Sequence, residues 1–163
     1  MPPSGVDVAA LHERLRMLGA TVAVAESLTG GLLTAALTRV PGASATVRGG
    51  LVVYATDLKA QLAGVPSALL AERGAVDPDV AAALASGVRD RLAADYGVGV
   101  TGVAGPEPQD GRPVGTVFIA VAGPHRTRVQ EAALDGSREQ IRAAAVDFCL
   151  ALLDAESARD LDR

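Results

Sequence analysis

Thr21–Ala25 (TVAVA) is an unbroken apolar run, entered from Gly19-Ala20 and left through the polar turn Glu26–Gly31 (ESLTGG). A run this short, valine-rich and closed by glycines reads as a strand buried on both faces. Such a strand needs a helical layer over each side, and the rest of the chain supplies helices in alternation with further strands. Val6–Leu18 places Val8, Leu11, Leu15 and Leu18 at helical spacing before Gly19, a C-terminal glycine stop. Leu32–Val40 reads as a helix ending before Pro41-Gly42, and Val47–Ala55 as a strand whose Gly49-Gly50 pair marks a bulge or a close backbone approach. Short helices are expected over Asp57–Gly64 and Ser67–Arg73. Asp77-Pro78 supplies an N-cap and a first-turn proline for a long alanine-rich helix over Asp79–Ala94. Tyr96–Thr101 is a strand leading into the loop Gly102–Arg112, and Val114–Ala122 with Thr127–Leu134 reads as a hairpin. Ser137–Leu153 is the last helix, between a loose lead-in at Met1–Gly5 and a frayed polar tail at Asp154–Arg163. Helices between the early strands and a tight turn between the last two predict a three-layer α/β/α domain with a mixed sheet.

The length of 163 residues matches one domain, with no repeat and no linker to divide it. A net charge of −4 and a pI of about 5.1 argue against a nucleic-acid surface, and two tyrosines with two phenylalanines make no base-stacking platform. The single cysteine, Cys149, leaves no internal disulfide, and with His12 and His125 as the only histidines a zinc site lacks ligands. No basic region leads into an apolar run at the N-terminus, and no stretch approaches the ~20 apolar residues of a membrane span. The expectation is a cytoplasmic domain that binds neither nucleic acid nor membrane, with self-association left open.

Asparagine is absent, and of fifteen basic residues only Lys59 is a lysine. Arginine replaces lysine at nearly any solvated position but not where the side chain must lose its proton. Two loops follow strands, where ligands sit in open α/β sheets. In the first, Ser27 stands where a strand turns through Gly30-Gly31 into a helix. This exposes a hydroxyl beside helix N-terminal amides, as an acyl-transfer nucleophile requires. The plainer alternative is that Ser27 or Thr29 only caps the helix. The second loop runs from Thr101-Gly102-Val103-Ala104-Gly105-Pro106 to Arg112–Thr116, where a phosphate cradle competes with an ordinary long turn. Gly97, Gly99 and Gly102 match GxGxxG, but they lie inside a strand and lead into no helix, so no dinucleotide site is expected. No histidine offers a base, His12 being expected exposed on the first helix and His125 exposed in the hairpin turn. A lysine can take that part if its pKa falls toward neutrality, and Lys59 is the only one present. Its plain reading is a solvated helix residue, that of Asp57 is a helix N-cap, and Glu107 and Asp110 are expected in solvent.

Five blocks occur in the order of a known family: AESLTGG (Ala25–Gly31), RGGLVVYATDLK (Arg48–Lys59), RGAV (Arg73–Val76), TGVAGP (Thr101–Pro106) and RPVGTV (Arg112–Val117). From about Val6 to Leu153 the chain resembles the CinA C-terminal domain family, which is the nicotinamide-nucleotide amidase family, in its stand-alone form. The resemblance implies cofactor-free and metal-free hydrolysis of the carboxamide of nicotinamide mononucleotide to nicotinate mononucleotide and ammonia. It assigns Ser27 as nucleophile, Lys59 as base, and Tyr54 and Thr101 as supporting polar residues. The amides of Thr29, Gly30 and Gly31 would hold the oxyanion. Gly102, Gly105 and Arg142 would meet the rest of the nucleotide. The chain departs from the family at Leu28 (often cysteine), Thr56 (usually asparagine), Arg112 (lysine), and a short EPQDG loop without the double glycine. A non-catalytic module tied to competence or DNA damage is the alternative the family name carries.

Overall fold

A computed structural model describes residues 5–163 of the chain; of the expected lead-in, residues 1–4 lie outside this range. The elements run α1 (Val8–Met17), β1 (Val22–Glu26), α2 (Leu32–Thr38), a 3-10 turn (Ala43–Ala45), β2 (Val47–Val52), α3 (Thr56–Ala63) and α4 (Ser67–Arg73). They continue as α5 (Pro78–Arg91), β3 (Tyr96–Gly102), β4 (Thr116–Ala122), β5 (Thr127–Ala133) and α6 (Arg138–Leu161). The sheet order is β2-β1-β3-β4-β5. β1 is parallel to both neighbours, while β3–β4 and β4–β5 are antiparallel. This is the expected mixed sheet with helices on both faces.

Alternation along the strands sorts the core. Val22, Val24, Val98, Val100, Val117 and Ile119 pack with α1, α2 and α6, while Ala23 and Ala25 face α3, α4 and α5. Large residues on one face and small ones on the other let α5 approach the sheet at backbone distance. A Cβ on Gly97 would lie 1.9 Å from the Ala85 carbonyl, and one on Gly99 2.5 Å from that of Ala81. Gly87 does the same toward α3, where a Cβ would lie 1.7 Å from the Ala63 carbonyl. The helix that carries Lys59 is thereby seated on α5. The glycine pair in β2 lies beside the expected irregularity, and a side chain comes close to it. Pairing with β1 slips between Val22 and Ala23, and a Cβ on Gly50 would lie 2.1 Å from Thr34 Oγ1.

Four expectations need correction. β2 ends at Val52, not Ala55, because the next carbonyls are turned to Lys59. Asp57 is not the N-cap of α3: that position is Ala55, and Asp57 sits in the first turn. His12 is fully buried, not exposed. Its Nε2 lies 2.7 Å from the Leu37 carbonyl, which can only accept, and its Nδ1 lies 2.6 Å from Thr46 Oγ1. Finally, the expected tail beyond Asp154 continues α6 to Leu161. Glu156 and Ser157 are buried there, with Arg126 donating to both Glu156 oxygens at 2.6 Å. Tyr96 donates to Asp160 at 2.6 Å. Polar contacts from the start of β3 and from the β4–β5 turn thus carry the helix past the point where its apolar periodicity fades.

Candidate active site

The turn after β1 is held by a carboxylate. Glu26 is wholly buried; its Oε1 accepts from the Gly31 and Leu33 amides, and its Oε2 from the Thr34 amide and hydroxyl, at 2.7–3.2 Å. Glu26, not Ser27 or Thr29, therefore caps α2, with Gly30 (φ +57°) and Gly31 (φ +104°) supplying left-handed backbone that other residues resist. The Gly30 amide donates to the Ser27 carbonyl at 3.0 Å and the Leu32 amide to the Thr29 carbonyl at 3.0 Å. Ser27–Gly30 is thus a β-turn with the nucleophile candidate at its first position. The amides of Leu28 and Thr29 have no acceptor among the described residues.

Lys59 is 1% exposed although it belongs to a surface helix. Its Nζ lies 3.0 Å from Ser27 Oγ, 2.8 Å from the Val53 carbonyl and 3.2 Å from the Tyr54 carbonyl. Burial pushes its pKa down to about 8, against a smaller opposing pull from the Asp110 carboxylate. A neutral amine in this place donates both hydrogens to the two carbonyls, which can only accept. Its lone pair is then left facing the Ser27 hydroxyl.

Ser27 borders a small cleft of about 120 Å³, walled by Leu28, Tyr54 and the loop Gly102–Gly105. Arg138, Glu107 and Gln109 complete the cleft, and Lys59, outside the lining, reaches Ser27. Arg138 was not singled out from the sequence. Its Nη1 donates to the Gly105 carbonyl at 2.6 Å and its Nη2 to the Tyr54 hydroxyl at 3.0 Å. Larger hollows of about 460 and 530 Å³ lie elsewhere, and neither borders Ser27 or Lys59.

The sequence-expected residues separate into groups. Ser27, Tyr54, Gly102 and Gly105 line the cleft, and Lys59 reaches Ser27 from outside the lining. Thr101 is 1% exposed and donates to the Ala75 carbonyl at 2.7 Å, while Asp110, in solvent as expected, accepts from the Ala75 amide at 3.0 Å. Thr101 therefore fixes the segment beside the cleft without lining it. The Thr29 side chain is fully buried, with its hydroxyl unpartnered among the described residues. The Gly30 and Gly31 amides are already engaged, so of the expected oxyanion donors only the Thr29 amide is left, joined by that of Leu28. Arg142 is turned from the cleft wall to the back of the Ser27 turn, its Nε donating to the Leu28 carbonyl at 2.8 Å. Its Nη2 donates to the Thr29 carbonyl at 3.4 Å. Among the described residues, no three His, Cys, Asp or Glu side chains cluster as metal ligands, and no helix is long and apolar enough to cross a membrane.

Comparisons with known proteins show the family. The model of the CinA C-terminal domain matches residues 7–157. A CinA-like protein of Frankia casuarinae is 56% identical over 134 residues, covering 82% of this chain and 31% of that protein. A putative competence-damage inducible protein of Geobacillus is 47% identical over 129 residues, covering 78% and 31%. The chain spans about a third of the length of the curated relatives it matches. Among solved structures, a CinA superfamily protein of Klebsiella pneumoniae superposes with a TM-score of 0.89 at 30% identity, covering 93% of this chain and 96% of that one. A competence/damage inducible protein of Agrobacterium tumefaciens gives 0.84 at 36%, covering 95% and 98%.

Proposed function

The chain belongs to the CinA C-terminal domain family, and from that premise we propose that it is an amidohydrolase that converts nicotinamide mononucleotide to nicotinate mononucleotide and ammonia. The observation that carries the reading is the contact of Lys59 Nζ with Ser27 Oγ at 3.0 Å, in a setting where two carbonyls take the amine's hydrogens. With a pKa of about 8, roughly a tenth of Lys59 is neutral at pH 7. That fraction takes the Ser27 proton as Oγ bonds to the carboxamide carbon. Charge gathers on the amide oxygen and meets the Leu28 and Thr29 amides. The Lys59 ammonium then protonates the nitrogen as the C–N bond breaks and ammonia leaves. Water, deprotonated by Lys59, releases the acid from Ser27.

The cleft volume supports entry of the reacting ring and not of a whole nucleotide, so ribose and phosphate lie along its mouth. Arg138, the cation of the cleft wall, is the residue that meets the phosphate. This assignment differs from the sequence expectation for Arg142. Binding energy from that remote contact is used at the reacting carbon, so free nicotinamide is a far poorer substrate than its mononucleotide. The test is ammonia release from the mononucleotide by the purified protein and by Ser27→Ala. Release by wild type alone is expected, and equal release by both would discard the covalent mechanism. The second reading, a non-catalytic regulatory module, draws on the competence and damage terms in relatives' names and predicts no release by either.

A further inference from the structure

Arg138 and Arg142 stand four residues apart on α6 and leave it from one face, yet they serve different loops. Arg138 reaches the cleft mouth, whereas Arg142 reaches only carbonyls of the turn behind Ser27. We propose that Arg142 is a positioning residue that presets the amide donors for the charge developing on the substrate, an inference that rests on the hydrolytic reading above.

The carbonyls of Ser27, Leu28 and Thr29 in this turn each have an anchor. The Ser27 carbonyl is held by the Gly30 amide and that of Thr29 by the Leu32 amide. The Leu28 carbonyl is held by Arg142 alone among the described residues. It belongs to the central peptide of the turn, the plane whose rotation interconverts turn types without moving the flanking chain. A trans peptide places its carbonyl and the following N–H on opposite edges. Holding the Leu28 carbonyl against α6 therefore keeps the Thr29 N–H facing away from it. A flip would put an oxygen where the oxyanion needs a hydrogen. The β-branched Thr29 resists the positive φ that a flip demands, and the guanidinium adds to that resistance while polarising the same peptide. Gly30 leaves room for the contact, since a Cβ there would lie 3.1 Å from Arg142 Nη2.

The test compares wild type, Arg142→Ala, Arg142→Lys and Arg138→Ala on the mononucleotide and on its phosphate-free riboside. A fluorophosphonate serves as a substrate-independent probe. In the probe reaction Ser27 Oγ bonds to phosphorus, the P–F bond breaks, Lys59 takes the proton and fluoride leaves, with the oxyanion forming in the same place. Loss of an oxyanion donor costs about 10²–10³-fold. Loosening one is expected to lower kcat for Arg142→Ala by about tenfold or more on both substrates. KM should stay within about twofold, the pH midpoint should be unchanged, and Ser27 labelling should slow equally. Arg142→Lys keeps one donor and recovers part of the rate. It also carries the measurement if the alanine variant does not fold. A rise in KM for the mononucleotide alone would make Arg142 a phosphate ligand and overturn the proposal, as would labelling at the wild-type rate. Arg138→Ala is expected to raise KM for the mononucleotide more than for the riboside. If wild type releases no ammonia yet is labelled, the substrate assignment fails while the labelling rates still decide the role of Arg142. If Ser27 of wild type is not labelled at all, both fall.

Discussion

Replacing Lys59 by arginine keeps a cation and removes a base, so it separates the two parts a buried lysine can play. If Lys59 takes the Ser27 proton, Lys59→Arg fails nearly as badly as Lys59→Ala, because guanidinium offers almost no neutral form at pH 7. Loss of a general base costs about 10²–10⁴-fold. An arginine variant within a few-fold of wild type would remove Lys59 from the chemistry. In the wild type, kcat/KM is expected to rise with pH and level off above about 8, the value to which burial brings this amine. The same shift acts on stability. The folded-state pKa is lowered, so between about 8 and the ordinary value of 10.5 the unfolded chain binds more protons. Stability therefore rises with pH across that window. Tyr96 acts in the opposite sense. Burial and its bond to Asp160 raise its pKa, so its contribution is lost as the unfolded tyrosine ionises near pH 10 and above. Urea midpoints at pH 7 and 9.5 should increase for wild type and much less for Lys59→Met. An equal increase in both would contradict the assigned shift.

At the level of elements, what could be read from the sequence was whatever is local. β1, its glycine turn and α2 follow from one stretch of neighbouring residues, and Ser27 and Lys59 stand out by residue type and position. The pieces that organise them are not local. Leu28 lies 114 residues from Arg142, and Tyr54 lies 84 from Arg138, so no periodicity pairs them. The last turns of α6 were missed for the same reason: Glu156 and Asp160 look like a polar tail until Arg126 and Tyr96 are placed beside them. Glu26 was hidden differently, as a charged residue at the end of an apolar strand with no cation to match. Three of its four partners are backbone amides, invisible in a string of letters. Since both Glu26 oxygens already accept from amides, Glu26→Gln must set an NH₂ group against N–H donors. The expected loss is about 1–3 kcal/mol in urea titration, together with slower turnover as the Ser27 turn loosens. Unchanged stability would mean that this carboxylate contributes nothing.

Across the whole molecule, rigidity behind the cleft comes from α5 lying on β3 at Gly97 and Gly99, where β3 presents no side chain. Gly97→Ala places a methyl against the Ala85 carbonyl at a separation neither backbone allows. It should cost at least the 1–3 kcal/mol typical of overpacking, read as a lowered Tm. An alanine there without effect would show that the two elements can part. Through Gly87 the same contact seats α3, so strain at Gly97 should also reach the Ser27–Lys59 distance and reduce turnover in whatever protein remains folded. The burial of the one lysine has a further use. A protease that cuts only after lysine has a single target in the chain, and that target is 1% exposed in the folded state. Digestion then proceeds only through molecules in which α3 has opened. It yields two fragments whose rate of appearance reports how often the candidate base leaves its place. A bound product analogue that spans the cleft should slow that cut, which makes a ligand screen possible before any substrate is known.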